Sequence, residues 1–272
     1  MSKTKGFIYV ASRHKHFYEM GLLSAESLRD FYPDANITMF THKAWVDDRA
    51  KIFSNVVTHV PYHRRTKIWA MSHTPYDQTF YNDCDSLILH PDIKNVFDYL
   101  DDRDMFFCES FWYTTGDYRW SFIDKAQTVK VPYHGAVCCY NKNDLTIDFM
   151  NTWFKRYNEQ QQYNWHEKWG DFAYQSWQYF DMFTLWEMTC GRFEEFERFN
   201  NLNIKLAPKR FCTTIHDKGT KAEYSNKPPV VMQIDRHTYQ ELASWKRINK
   251  GIKDERSLPK ELEIGKDSLG YN

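Results

Sequence analysis

The chain has 272 residues, which is long enough for one large domain with a well-buried core. Lys plus Arg and Asp plus Glu both total 36, so the formal net charge is zero. This balance argues against bulk electrostatic capture of nucleic acid or of an anionic membrane. The six cysteines include no Cys-x-x-Cys pair, which favours reduced structural thiols over a disulfide framework or a zinc site.

The ends of the chain and its linkers predict a simple domain organisation. No signal-peptide pattern precedes the first predicted strand, and no apolar run approaches the ~20 residues that a membrane helix needs. We therefore expect a soluble, cytoplasmic protein. Because there is no repeat and no Gly/Ser linker, residues 1–250 are predicted to form one domain. The charged residues 251–272 are predicted to form a surface tail.

The first part of the chain alternates between strands and helices. The hydrophobic patterns predict strands over residues 6–12, 36–42 and 55–62, and helices over residues 16–32 and 66–74. A strand, helix, strand order with short turns is typical of an α/β fold with a mainly parallel sheet flanked by helices.

Residues 78–83 form the next predicted strand, which ends on the acidic triplet Asp83-Cys84-Asp85. Further strands are predicted over residues 104–110, 133–140 and 229–235, and further helices over residues 145–158 and 171–190.

The acidic triplet is a candidate metal site. Asp83 and Asp85 stand two residues apart just past a strand, at the sheet edge where open α/β sheets bind ligands. Two such carboxylates repel each other unless positive charge lies between them, and their oxygens suit Mg²⁺ or Mn²⁺. The cation would bridge to diphosphate oxygens. The alternative is a solvated turn with an N-capping Asp, because this triplet is common by chance.

The residues around the triplet carry a family resemblance. The run from Lys67 to Leu89 resembles a signature of GT-A glycosyltransferases, in which a basic residue and a helix precede a Pro-Tyr-Asp turn and a strand ending in Asp-x-Asp. His134-Gly-Ala-Val resembles the strand start that contacts the donor sugar in relatives such as glycogenin and bacterial lipopolysaccharide galactosyltransferases. Asp181 resembles the Asp of the family's Asp-Gln helix.

This resemblance implies a GT-A fold and a metal-dependent glycosyltransferase. The enzyme would move a sugar from a nucleoside diphosphate sugar, most naturally a UDP-sugar, to an acceptor with retention of anomeric configuration. Asp83 and Asp85 would hold Mn²⁺ or Mg²⁺, and Asp181 would be the catalytic carboxylate beneath the donor sugar. The acceptor stays open among a glycan, a lipid, a protein and a modified nucleobase.

Two histidines compete as the third metal ligand. His237 follows the last predicted strand and is the first choice, because the family often supplies a late His. His216 begins His-Asp-Lys-Gly-Thr-Lys221, which resembles the family's His-x-x-Gly-x-x-Lys phosphate loop. An ordinary surface or core histidine is the alternative for either position.

The resemblance also implies a set of residues that contact the sugar nucleotide. The end of the first strand would lie over the base and ribose; the alternative is an ordinary polar turn. Lys67 would meet the diphosphate or the base; the alternative is a lysine on the helix surface. The full set is Val10, Ala11, Ser12, Arg13, Lys67, Asp83, His134, Gly135, His216 and Lys221.

Other functions remain open from the residues alone. Aromatic side chains are dense between residues 163 and 180, where core packing is the expectation for most and Trp165 or Trp169 are candidate acceptor contacts. A nucleotidyltransferase would share the sheet and metal site, but the segment Ala11-Ser-Arg-His-Lys lacks its glycine-rich loop. A non-enzymatic module that binds nucleic acid or glycan through the aromatics and His63-Arg64-Arg65 is the third possibility.

Overall fold

The described part of the chain contains ten strands in two sheets. The computed structural model describes residues 3–109, 133–162, 180–191, 193–214 and 229–234. In chain order the strands are β1 (Lys5–Val10), β2 (Ile37–Phe40), β3 (Asn55–Val57), β4 (Gln78–Asn82), β5 (Ser86–Ile88), β6 (Met105–Glu109), β7 (Tyr133–Asn141), β8 (Ile204–Leu206), β9 (Thr213–Thr214) and β10 (Val231–Gln233).

The larger sheet is mixed and mostly parallel. Its seven strands lie in the order β3-β2-β1-β4-β7-β6-β8. Strand β7 runs antiparallel to both β4 and β6, and the other neighbouring pairs are parallel. The predicted α/β class with a mainly parallel sheet is therefore confirmed. Because β7 runs antiparallel to β4, it begins at the same edge of the sheet at which β1 and β4 end.

Helices cover both faces of this sheet. They are α1 (Lys15–Phe31), α2 (Thr66–Ser72), α3 (Asp144–Gln162) and α4 (Phe180–Thr189), with 3-10 segments at Lys43–Trp45, Asp48–Ile52, Pro91–Leu100, Glu194–Asn201 and Lys209–Phe211. Side chains alternate across β1, so Phe7 and Tyr9 pack on the α1 side while Ile8 packs on the side of α2 and α3. Neither face of β1 meets water, which explains its continuous apolar run.

The smaller sheet holds the chain that follows the acidic triplet. Its order is β5-β10-β9, with β5 antiparallel and β9 parallel to β10. The triplet therefore lies between β4, a strand of the larger sheet, and β5, a strand of the smaller sheet. The backbone N–H of Asp83 donates to the Ala136 carbonyl at 2.9 Å, and the N–H of Ile234 donates to the Asp85 carbonyl at 2.7 Å. Both aspartates are consequently fixed through their backbones.

Several element boundaries differ from the sequence prediction. The third strand ends at Val57, not near residue 62, because the following segment leaves the sheet and includes Pro61, which has no N–H to donate. Strands β5 and β8 are only three residues long, too short for a periodic signal. Of the helix predicted over residues 171–190, the structure describes Phe180–Thr189. No helix within the described ranges is long and apolar enough to cross a membrane.

Candidate active site

A cavity of about 220 Å³ opens at the edge of the sheet where β1 and β4 end. Its walls come from the ends of these strands, the start of α1 and the segment that leads into α2. The lining residues are Val10, Ser12, Phe17, Arg64, Arg65, Thr66, Lys67, Tyr81, Asp83, Cys84 and Asp85. This is the edge at which open α/β sheets bind ligands, and it contains the predicted acidic pair.

Asp83 is held by two donors from neighbouring elements. The hydroxyl of the buried Tyr81 donates to one carboxylate oxygen. The ammonium of Lys67 lies 3.3 Å from the same oxygen and donates to the Gly135 carbonyl at 2.9 Å. The same ammonium is 3.9 Å from the carboxylate of Asp181. The Lys67 ammonium therefore contacts the residue that follows β4, the start of β7 and the start of α4.

Asp85 also lines the cavity, but its carboxylate has a different neighbour. The side-chain amide of Gln233 lies 3.4 Å from one of its carboxylate oxygens. Desolvation by the surrounding protein, followed by the negative charge of Asp83, raises the pKa of Asp85 to about 7. Asp83 and Asp85 both line one cavity, and their carboxylate oxygens fit a hard divalent cation.

The two candidate third metal ligands fall outside the part of the chain that the structure describes. His237 and His216, together with Lys221, lie outside the described residues. Within the described part of the chain, no three His, Cys, Asp or Glu side chains come together in a metal-binding group. The aromatic residues 163–179, including Trp165 and Trp169, also lie outside it.

Asp181 is at the start of α4 and is 3% exposed. The guanidinium of Arg65 lies 3.0 Å from its carboxylate, and its carbonyl accepts a hydrogen bond from the indole N–H of Trp153 at 2.7 Å. Burial alone would raise the pKa of Asp181, but the charges of Arg65 and Lys67 outweigh it and hold the pKa below the usual value. The residue is therefore an ionised carboxylate at neutral pH.

The start of β7 brings His134 and Gly135 to the same site. A Cβ added to Gly135 would lie 3.8 Å from a carboxylate oxygen of Asp181, so this part of β7 lies within van der Waals reach of that carboxylate. Burial is the largest influence on the pKa of His134 and lowers it, but the hydrogen bond and the charge interaction with Cys212, together with the charge of Asp83, act in the opposite direction, and the net pKa is raised. All six cysteines of the chain are free thiols.

The end of β1 is divided between core and cavity. Val10 and Ser12 line the cavity, whereas Ala11 is fully buried in the core and donates its N–H to the Phe40 carbonyl at 2.8 Å. Arg13 follows in the left-handed region, with φ of 68°. Its carbonyl accepts a hydrogen bond from the Tyr62 hydroxyl at 3.3 Å. Of the four predicted base and ribose contacts, Ala11 can act only through its backbone.

The structure adds site residues that the sequence did not single out for these roles. Arg65 pairs with Asp181, Tyr81 bonds Asp83, Gln233 faces Asp85 and Trp153 bonds the backbone of Asp181. Of these four residues, only Arg65 was noted in the sequence for its charge, as part of the basic run His63-Arg64-Arg65 just before α2.

Known proteins resemble this chain in structure. No protein-family sequence model matches it, and a search of curated protein sequences finds no match. The galactosyltransferase LgtC, solved in complex with donor and acceptor sugar analogues, is 15% identical and superposes with a TM-score of 0.50, over 95% of this chain and 99% of that one. An active-site mutant of LgtC is 14% identical with a TM-score of 0.51, over 88% of this chain and 95% of that one.

A second similar structure is the glycosyltransferase GlyE of Streptococcus pneumoniae TIGR4. It is 10% identical with a TM-score of 0.52, and the match covers 84% of this chain and 54% of that one. At these identities the similarity establishes the fold. The order of the seven-stranded sheet, its antiparallel β7 and these superpositions together show that the chain has the fold of the GT-A glycosyltransferases.

Proposed function

We propose that this protein is a metal-dependent glycosyltransferase that uses a nucleoside diphosphate sugar, most naturally a UDP-sugar, and retains anomeric configuration. The observation that carries the proposal is the convergence of Asp83, Asp85 and Lys67 on one cavity, with the ionised Asp181 3.9 Å from the same lysine. The fold supplies the context, since similar structures include a galactosyltransferase with donor and acceptor analogues bound.

Asp83 and Asp85 are the residues that would hold the metal, with His237 as the preferred third ligand and His216 as its rival. When bound, Mn²⁺ or Mg²⁺ would neutralise charge that develops on the departing diphosphate. Tyr81 and the backbone bond from Asp83 to Ala136 keep the Asp83 carboxylate in place. Gln233 does the same for Asp85.

Lys67 contributes a fixed positive charge to the same region. Its ammonium already binds the Asp83 carboxylate and the Gly135 carbonyl, so little reorganisation is needed when a diphosphate arrives. His216 and Lys221 are proposed to meet the phosphates as well. Val10, Ser12 and Arg13 would contact the base and ribose, with Ala11 contributing backbone groups.

Asp181 is proposed to lie beneath the donor sugar, next to His134 and Gly135. As an ionised carboxylate it would orient sugar hydroxyls and stabilise positive charge on the sugar ring in the transition state. It is not suited to donate a proton, because Arg65 and Lys67 keep its pKa low. Catalysis would then depend mainly on positioning and on these fixed charges.

A panel of sugar nucleotides tests the proposal. The full chain is incubated with each donor and Mn²⁺, and release of the nucleoside diphosphate is followed. Asp83→Ala should abolish release, whereas Asp98→Ala, at a side chain that is 65% exposed, should not. The proposal is wrong if no donor is turned over and no nucleoside diphosphate shifts the melting temperature. Pyrophosphate release from a nucleoside triphosphate and a sugar phosphate would instead indicate a nucleotidyltransferase.

A further inference from the structure

Buried polar side chains connect α1 to the strands on either side of the acidic triplet. The Asn82 side-chain amide donates to the Ser24 hydroxyl at 3.3 Å, and that hydroxyl donates to the Tyr9 hydroxyl at 3.1 Å. The Ser27 hydroxyl accepts a hydrogen bond from the backbone N–H of Ile88 at 3.0 Å. We call the four side chains the polar network. They are Tyr9, Ser24, Ser27 and Asn82, and all are fully buried.

The register of the sheet brings this network to the start of the triplet. Strands β1 and β4 are parallel with Ile8 paired to Tyr81, so Tyr9 and Asn82, the next residue of each strand, are neighbours. The hydrogen bond to α1 shows that the Asn82 side chain points to that face of the sheet. Asn82 is the last residue of β4 and directly precedes Asp83. The network therefore holds the strand end from which the triplet emerges.

Cys84, the middle residue of the triplet, is fixed as well. Its thiol donates to the carbonyl of Val10, a cavity-lining residue, at 3.3 Å. Gly21 of α1 lies close by, since a Cβ added there would be 3.2 Å from the Cys84 sulfur and 2.5 Å from the Met39 methyl. Glycine inside a helix costs stability, so its presence indicates that α1 has to lie this close to the triplet. The turn is thus attached before, within and after its two aspartates.

The network is a poor way to stabilise the fold. The amide oxygen of Asn82 has no hydrogen-bond partner among the described residues, and neither has the hydroxyl of the buried Ser86. Buried polar atoms without partners lower stability, and replacing a whole set of partners by apolar groups of similar shape can be nearly neutral. Buried polar groups can instead fix one arrangement of neighbouring elements among several. This pattern favours a role in geometry over a role in stability.

We propose that the polar network positions the carboxylates of Asp83 and Asp85 and thereby sets which divalent cation they accept. The inference rests on the proposed function, because these carboxylates are the proposed metal ligands. A small cation needs its oxygen ligands in near-ideal octahedral positions, whereas Ca²⁺ accepts longer and less regular arrangements. A rigid acidic turn therefore favours Mn²⁺ or Mg²⁺ over Ca²⁺, and a loosened turn loses this preference.

An apolar variant that combines Tyr9→Phe, Ser24→Ala and Asn82→Leu tests this role. Because the three hydrogen-bonding groups are removed together, the melting temperature should stay within about 3 °C of the wild type. With UDP present, the ratio of the dissociation constants for Ca²⁺ and Mn²⁺, measured by calorimetry on the full chain, should fall by about tenfold. Thr38→Val is the matched control. It removes an equally buried hydroxyl, 2.8 Å from the Tyr76 hydroxyl, and should leave the ratio unchanged.

Thiol labelling gives a second readout that needs neither metal nor activity. In the wild type, Cys84 is 5% exposed, so iodoacetamide should label it slowly. In the metal-free apolar variant, labelling should be faster by at least about tenfold, because the turn is no longer fixed to α1. Cys139, fully buried in the same core, is the internal reference and should be labelled at an unchanged rate. Peptide mass spectrometry follows both thiols in one sample.

Two results would overturn the inference. One is an apolar variant that keeps the wild-type preference for Mn²⁺ over Ca²⁺, in which case the proposed function stands without it. The other is a lowered melting temperature with Cys84 and Cys139 both labelled faster, because the network would then only stabilise the fold. If instead the wild type binds neither Mn²⁺ nor UDP while the apolar variant releases Cys84 alone, the proposed function fails and the positioning of the turn by the network stands.

Discussion

The guanidinium of Arg65 lies 3.0 Å from the carboxylate of Asp181, in a pair whose side chains are only 20% and 5% exposed. Burial of a lone carboxylate favours its neutral form, and the charge of Arg65, followed by that of Lys67, keeps Asp181 ionised. The pKa of Asp181 lies below its usual value, and the ion pair therefore contributes fully to stability at neutral pH. That contribution is lost only as the pH falls through the lowered pKa.

Arg65→Gln should move the acidic limb of the pH profile of kcat/KM to higher pH, because burial would then dominate the pKa of Asp181. The same change should lower the free energy of unfolding at pH 7 by about 3 kcal/mol, since it removes one partner of a buried ion pair. Arg65→Lys keeps the charge and should restore most of both. An acidic limb that stays in place in Arg65→Gln would mean that Asp181 does not set it.

Lys67→Met tests the charge at the centre of the site. Because its ammonium lies 3.3 Å from Asp83, removal should raise the affinity for Mn²⁺ without nucleotide by about tenfold. Turnover should nevertheless fall by at least ~100-fold, because the diphosphate loses a fixed positive charge. Mn²⁺ titration and steady-state kinetics check the two effects separately. Lys94→Met, at an exposed position, should change neither.

Tyr81→Phe removes the hydroxyl that orients Asp83 and keeps the ring that Lys67 overlies at 5.6 Å. We expect kcat/KM to fall by about tenfold, the effect of one hydrogen bond to a charged group. Tyr140→Phe is a matched control, because it removes another buried hydroxyl, bonded to the Met71 carbonyl, away from the cavity. Equal losses of kcat/KM in the two variants would show that Tyr81 acts on stability alone.

Part of this site was predictable from local sequence. The turn that ends at Asp77, followed by the β-forming residues Thr79, Phe80 and Tyr81, predicted a strand, and the acidic triplet then had to emerge at its end. The positions of Lys67 in a helix before that strand and of Asp181 in a later helix also follow from the pattern. Such features depend on residues that are neighbours in the chain.

Other parts depend on contacts between distant segments. Gln233 meets Asp85 across 148 residues because β10 pairs with β5. A strand over residues 229–235 was predicted and contains β10, but the three-residue β5 was not, and no local pattern shows that the two strands pair. His134 and Gly135 reach the site only because β7 runs antiparallel between β4 and β6. Arg65 reaches Asp181 of α4 because α2 packs on α3, which in turn packs on α4. Hydrophobic periodicity contains none of this information.

Gly135→Ala should separate a role in substrate binding from a role in folding. The added Cβ would lie 3.5 Å from the Trp153 ring and 3.8 Å from an Asp181 oxygen, both ordinary van der Waals distances. The free energy of unfolding should therefore change by no more than about 0.5 kcal/mol. The methyl group would nonetheless occupy the approach to Asp181, so kcat/KM should fall by about tenfold or more. Chemical denaturation and donor kinetics on the same sample check both expectations. A variant that is as stable and as active as the wild type would show that the donor sugar does not pass between Gly135 and Asp181.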